Sequence, residues 1–118
     1  MDAGVTFLSD LTVKPGQAAA STALIADLVA AAHAEPGTFG YTWYASADGT
    51  RCHVQEHYAD AAAAVTHLQA FNATFVGRFL AVFQPGQFLV LGETSPALLQ
   101  LLAAAGPTYL ERTAGFEP

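Results

Sequence analysis

The stretch that most constrains this chain runs from Thr38 to Tyr58, TFGYTWYASADGTRCHVQEHY. Aromatic and β-branched residues flank Asp48-Gly49, a pattern that predicts a tight antiparallel hairpin. Side chains alternate across a strand, so a two-residue loop at Asp48-Gly49 fixes which residues share a face. One face then carries Phe39, Tyr41, Trp43, Ala45, Cys52, Val54, Glu56 and Tyr58. The other carries Thr42, Tyr44, Ser46, Arg51, His53, Gln55 and His57. Tyr41 falls opposite Glu56 and Tyr44 opposite His53; a slip of one residue exchanges these partners. The lone carboxylate, Glu56, stands in an otherwise apolar row.

The flanking sequence supplies what such a hairpin needs to pack against. Val5–Val13 alternates as a first strand and stops at Lys14-Pro15-Gly16-Gln17. Ala18–His33 has Leu24, Ile25, Leu28, Val29 and Ala32 at helical spacing and ends before Glu35-Pro36-Gly37. Asp60 is a helix cap, and Ala64, Val65, Leu68 and Phe71 form the buried stripe that follows. A second turn or short helix is expected over Asn72–Leu80, then a turn at Gln84-Pro85-Gly86-Gln87 and a central strand at Phe88–Glu93. Ser95-Pro96 caps a last helix, Ala97–Ala105; Gly106-Pro107 stops it. Thr108–Thr113 reads as a short final strand and Ala114–Pro118 as a tail. The order β-α-β-β-α-β with a short α-β appendix predicts one α+β domain over residues 1–118, a ferredoxin-like split βαβ sandwich with an antiparallel sheet.

Composition narrows the function. Of 118 residues, 12% are charged, about half the usual ~25%, so a single subunit is expected to expose apolar surface that a second copy covers. A homodimer built through the open sheet face is the expectation, with Tyr44, His53 and Gln55 at the interface. The net charge of -6, with only Lys14, Arg51, Arg78 and Arg112 as cations, offers no basic stripe for nucleic acid or an anionic membrane. No apolar run approaches the ~20 residues of a membrane span, and Met1-Asp2-Ala3-Gly4 lacks a basic secretory start, so a cytoplasmic protein is expected. Cys52 is the single cysteine, which rules out an internal disulfide and a CxxC metal site.

Four short motifs recur in order: Val13-Lys14-Pro15-Gly16-Gln17, Glu35-Pro36-Gly37-Thr38, Glu56-His57-Tyr58-Ala59-Asp60, and His67 with Phe71 and Phe75. Together, over Val5–Glu93, they resemble the antibiotic biosynthesis monooxygenase superfamily. The resemblance implies a dimeric α+β barrel with a pocket between sheet and helices in each subunit. It implies chemistry of the kind its cofactor-free oxygenases perform on phenols, anthrones and quinols, with no cofactor. Many members end the third strand in Glu-x-Trp, where this chain has Glu56-x-Tyr58. Its haem degraders use a first-strand asparagine, where Ser9 stands, and a histidine beyond the second helix, where Phe75–Arg78 has none. Haem degradation is therefore not expected.

The candidate site follows from the hairpin face turned to the helices. Glu56, raised in pKa by burial, suits a base near neutral pH; equally, it ties sheet to helix through a hydrogen bond. His67 reaches down from the helix as a proton shuttle, or sits at the boundary with one nitrogen in water. Tyr58 joins them as the third catalytic candidate. Tyr41, Trp43, Phe71, Phe75 and Arg78 are the substrate-binding candidates, the rings by stacking and Arg78 over a ring or an anionic group. Core packing and surface snorkelling are the competing accounts of the same residues. His53 and His57 lie ~13 Å apart along one strand, too far to share a metal, so no metal site is expected. Two readings remain open. One is a cofactor-independent monooxygenase of an electron-rich aromatic, a quinol or polycyclic phenol. The other is a non-catalytic dimeric module that binds a small apolar ligand or joins an assembly. Whether the space around Trp43 and Glu56 is open or filled distinguishes them.

Overall fold

The computed structural model describes residues 3–117; Met1, Asp2 and Pro118, at the expected start and tail, lie outside the described residues. Two elements match the sequence reading at both ends: strand β1 is Val5–Val13 and helix α1 is Ala18–His33. The hairpin follows as β2, Thr38–Ala45, and β3, Arg51–Tyr58. Helix α2, Ala61–Thr74, starts where the Asp60 carboxylate accepts a hydrogen bond from the Ala63 N–H at 2.8 Å. Helix α3 is Val76–Val82 and β4 is Phe83–Gly92. Helix α4, Pro96–Leu102, is capped by Ser95 and runs into a 3-10 turn at Ala103–Ala105. Strand β5, Thr108–Leu110, lies parallel to β4.

The sheet order is β2-β3-β1-β4-β5. Its first four strands have the ferredoxin-like arrangement, with their three pairings all antiparallel, and β5 extends the β4 edge in parallel. Tyr41 pairs with Glu56 and Tyr44 with His53, as alternation predicts. The loop, however, is longer than two residues: the Ser46 N–H donates to the Arg51 carbonyl at 2.9 Å and Ala47–Thr50 form the turn between them. Gly49 takes the left-handed φ of 72° there, and the Asp48 carboxylate accepts from Thr50 and Ser46. Loops of two and four residues preserve the same register, which is why the pairing is unaffected.

Four expectations are corrected. Gln84-Pro85-Gly86-Gln87 is part of β4 and not a turn. Pro85 pairs with Leu11, and the register shifts between Ser9 and Leu11, a bulge that admits a proline because regular pairing lapses there. Phe39 leaves the apolar row, because the register also shifts between Thr38 and Gly40, and it stands 74% exposed. Thr38 takes the inward place opposite Tyr58. Beyond α2 the helix breaks at Phe75 and restarts as α3, and β5 ends at Leu110.

The helices cover one face of the sheet and leave the other open. Leu8, Leu89 and Leu91 are half-buried on that open face, beside the exposed Tyr44, Leu110 and His57. Beneath the helices the core is in two parts. One gathers Val5, Phe7, Tyr58, Ala64, Val90, Leu98 and Leu102; the other Leu11, Leu24, Leu28, Cys52, Val54, Val82 and Phe83. Burial raises the Cys52 thiol pKa, so it behaves as a small apolar side chain. No helix among the described residues is long and apolar enough to cross a membrane.

The α1–β2 connection lies unusually close to α2. A Cβ placed on Gly37 would lie 2.6 Å from the Ala63 Cβ, so only glycine fits at this crossing. Gly37→Ala is expected to destabilise the protein by about 1–3 kcal/mol in urea unfolding. Adding Ala63→Gly should make the double variant less destabilised than the two single effects combined, since the clash is shared.

Candidate acid-base site

Between the two halves of the core lies a cavity of about 460 Å³. Strands supply Phe7, Leu11, Tyr41, Trp43, Val54, Glu56 and Phe88; α2 supplies His67, Leu68, Phe71 and Asn72; α3 supplies Val76, Phe79 and Leu80. Leu101, Leu102, Ala104 and Ala105 close the wall from the appendix, and Ser9, Asp10, Gly86 and Gln87 surround the bulge at one end. The lining is mostly hydrocarbon with few polar groups, the usual make-up of a small-molecule site. The space around Trp43 and Glu56 is open.

Five polar side chains form a chain behind and through this wall. Glu56 is opposite Tyr41 on β3, and its carboxyl accepts a short hydrogen bond from the Tyr58 hydroxyl. The His67 Nε2 lies 3.4 Å from Glu56 Oε1. On the other side of the ring, His67 Nδ1 donates to Glu35 Oε1 at 2.8 Å. The Thr38 hydroxyl donates to the same oxygen at 2.8 Å. A carboxylate only accepts, so this contact places the ring proton on Nδ1 and leaves Nε2 facing Glu56. The ring is also held between Tyr58 and Tyr41, with centroids 5.1 and 5.7 Å away.

Burial sets the electrostatics. It raises the Glu56 pKa above the ordinary 4.5, an effect that His67 and the Tyr58 hydrogen bond oppose and the Glu35 charge reinforces. Burial, and then the Glu56 charge, raise the Tyr58 and Tyr41 hydroxyls far up, so both stay protonated donors. The Trp43 indole N–H lies near enough to Tyr41 to oppose its shift, yet among the described residues Trp43 Nε1 is a buried donor without an acceptor. Among the described residues, no three His, Cys, Asp or Glu side chains converge closely enough to hold a metal ion.

Of the residues singled out from the sequence, Glu56, His67, Tyr41, Trp43 and Phe71 meet on the cavity wall. Tyr58 does not reach it: 2% exposed and packed on Phe7, it touches Glu56 from behind. Phe75 and Arg78 also stand away from it. The break at Phe75 rotates α3, so Val76 and Phe79 take the wall, Phe75 packs beside the second core cluster, and Arg78 donates to Asp27 of α1 at 2.7 Å. On the open face, His53 Nδ1 meets the Asp10 carboxylate at 2.9 Å, with Tyr44 and Gln55 adjacent.

Sequence reasoning missed Glu35, which it treated only as the stop of α1 and part of a motif. One signal was available: an acid just beyond a helix C-terminus opposes the helix dipole, so another partner must hold it. It also missed Asn72 and the appendix residues, for which the sequence carries no signal.

The antibiotic biosynthesis monooxygenase family model matches residues 5–74, and the chain belongs to that family. No curated protein matches its sequence. Among solved structures it is similar to MupZ from Pseudomonas fluorescens, at 22% identity and a TM-score of 0.88, over 100% of this chain and 91% of that one. PA3566 from Pseudomonas aeruginosa is 26% identical with a TM-score of 0.62, over 76% and 91% of the two chains. SnoaB, a cofactor-independent oxygenase from Streptomyces nogalater, is 19% identical with a TM-score of 0.67, over 79% and 95%.

Because the folded state raises the Glu56 pKa, it prefers the neutral acid. That contribution to stability is complete below pH 4.5 and is lost as pH climbs through the raised folded value. Glu56→Gln removes the titration. Its unfolding free energy should therefore gain on the wild type from pH 5 to 8, by at most about 1.4 kcal/mol per pH unit in chemical denaturation.

Proposed function

We propose that this protein is a cofactor-independent monooxygenase of an electron-rich aromatic, a quinol or polycyclic phenol, bound in the cavity between sheet and helices. The observation that carries the reading is the Glu56–His67 pair, 3.4 Å apart on the wall of an open, mostly apolar cavity. Such a pair moves protons in a space with little water, where an aromatic hydroxyl is hard to ionise unaided. His67 Nε2 or Glu56 takes the hydroxyl proton; the aromatic anion is then electron-rich enough to reduce O₂. One oxygen atom enters the ring and the other leaves as water, with the substrate supplying the electrons. Tyr58 holds the Glu56 carboxyl in place, and the Tyr41 hydroxyl and Trp43 N–H offer donors for the developing charge. Membership of the family supports this reading.

The assay is oxygen uptake by the pure protein over a varied panel of quinols and phenols under air. Uptake above background is expected, with Glu56→Gln and His67→Ala each lowering kcat roughly 10²–10⁴-fold. Trp43, the single tryptophan, reports binding independently through its fluorescence. Tight binding without uptake across the panel would favour a ligand-binding module instead.

The same reading includes a homodimer joined through the open sheet face. Leu8, Leu89 and Leu91 line that face beside Tyr44, His53 and Gln55, and a second copy would remove them from water. Sedimentation should give twice the 12.3 kDa subunit mass, and Leu89→Asp should return the monomer.

A further inference from the structure

We propose that Glu35 is a positioning residue for His67 and the outer end of a proton path from the cavity to solvent; this rests on the acid-base reading above. Three observations carry it. Glu35 is not on the cavity wall, yet 16% of its side chain is exposed, so that exposure faces the outside of the molecule. Its Oε1 accepts from both His67 Nδ1 and Thr38 Oγ1, each at 2.8 Å, and no hydrogen bond among the described residues uses Oε2. Gly37, two residues on, lies so close to Ala63 of α2 that an added Cβ would clash with it, and this close approach one turn before His67 brings the carboxylate to the ring.

The need for such a path follows from burial. Glu56 and His67 have side chains only 13% and 8% exposed, so a proton taken from a bound ligand has no direct route to water. The ring provides one. His67 accepts a proton at Nε2 and releases the one on Nδ1 to Glu35 Oε1, and rotation of the carboxyl lets that proton exchange with solvent. The reverse sequence returns a proton to Nδ1 and gives the one on Nε2 to the oxygen leaving as water, so ring and carboxylate regain their starting charges and tautomer. The groups facing His67 are Glu35 from the α1–β2 connection, Tyr41 from β2, and Glu56 and Tyr58 from β3. Only Glu35 among them links the ring outward. Thr38 fixes which oxygen Glu35 presents.

Nitrogen-15 NMR of the imidazole in the free protein tests this without any substrate. In the wild type the proton should reside on Nδ1 and exchange with water at a measurable rate. Glu35→Gln should give a mixed tautomer and slower exchange, with Glu35→Asp in between; thermal unfolding verifies that each variant is folded. With a quinol turned over in the uptake assay, Glu35→Gln should lower kcat about ten-fold or more, less than loss of the base itself, with KM nearly unchanged. An unchanged tautomer and exchange rate in Glu35→Gln would overturn the proposal. If no phenol or quinol is oxidised while the ring still responds to Glu35, the oxygenase reading fails and the positioning role stands.

Discussion

The Glu56 carboxyl sits on the helix-facing side of the sheet among Tyr41, Tyr58 and His67, where burial opposes its charge. The groups around it answer that difficulty. Tyr58 donates from the strand, His67 stands across from the helix, and Glu35 holds the far side of the ring. A half-satisfied buried polar network is worse than an apolar core, so each member is tied to at least one other. Removing one leaves a buried partner unpaired, at a cost of about 1–3 kcal/mol, more if it is charged. The site and the local fold therefore depend on the same contacts.

The cavity is the second constraint. Interiors normally pack without voids, yet here two core clusters stand apart with about 460 Å³ between them. The separation is held by parts that are themselves firmly packed: Phe7 and Val90 on the sheet, Leu98 and Leu102 on α4, Phe83 at the start of β4. The appendix matters for this reason. Leu98 and Leu102 anchor α4 in the first cluster, while Leu101, Ala104 and Ala105 close the cavity wall beyond it. The small side chains there leave room that larger ones would fill.

Much of this was legible in the sequence, for local reasons. β1 and α1 could be read to the residue because alternation, helical spacing and proline-glycine stops act over short range. The pairing of Tyr41 with Glu56 survived a longer loop because only the parity of loop length matters. Phe39, Pro85 and Phe75 were misplaced, and each sits at an irregularity: two register shifts and one break between helices. An extra residue in a strand depends on its partner strand, which no local pattern reports.

The sequence by itself determined the order of elements, the hairpin's register, the row containing Glu56 and the helix bearing His67, because each follows from periodicity along one segment. Only the tertiary structure decided that the core stays open, that Tyr58 supports Glu56 from behind the wall, and that Glu35 reaches His67 across 32 residues. Those outcomes depend on how closely separate segments approach. The spacing of Gly37 and Ala63 is one such distance, and it is set by packing rather than by either segment alone.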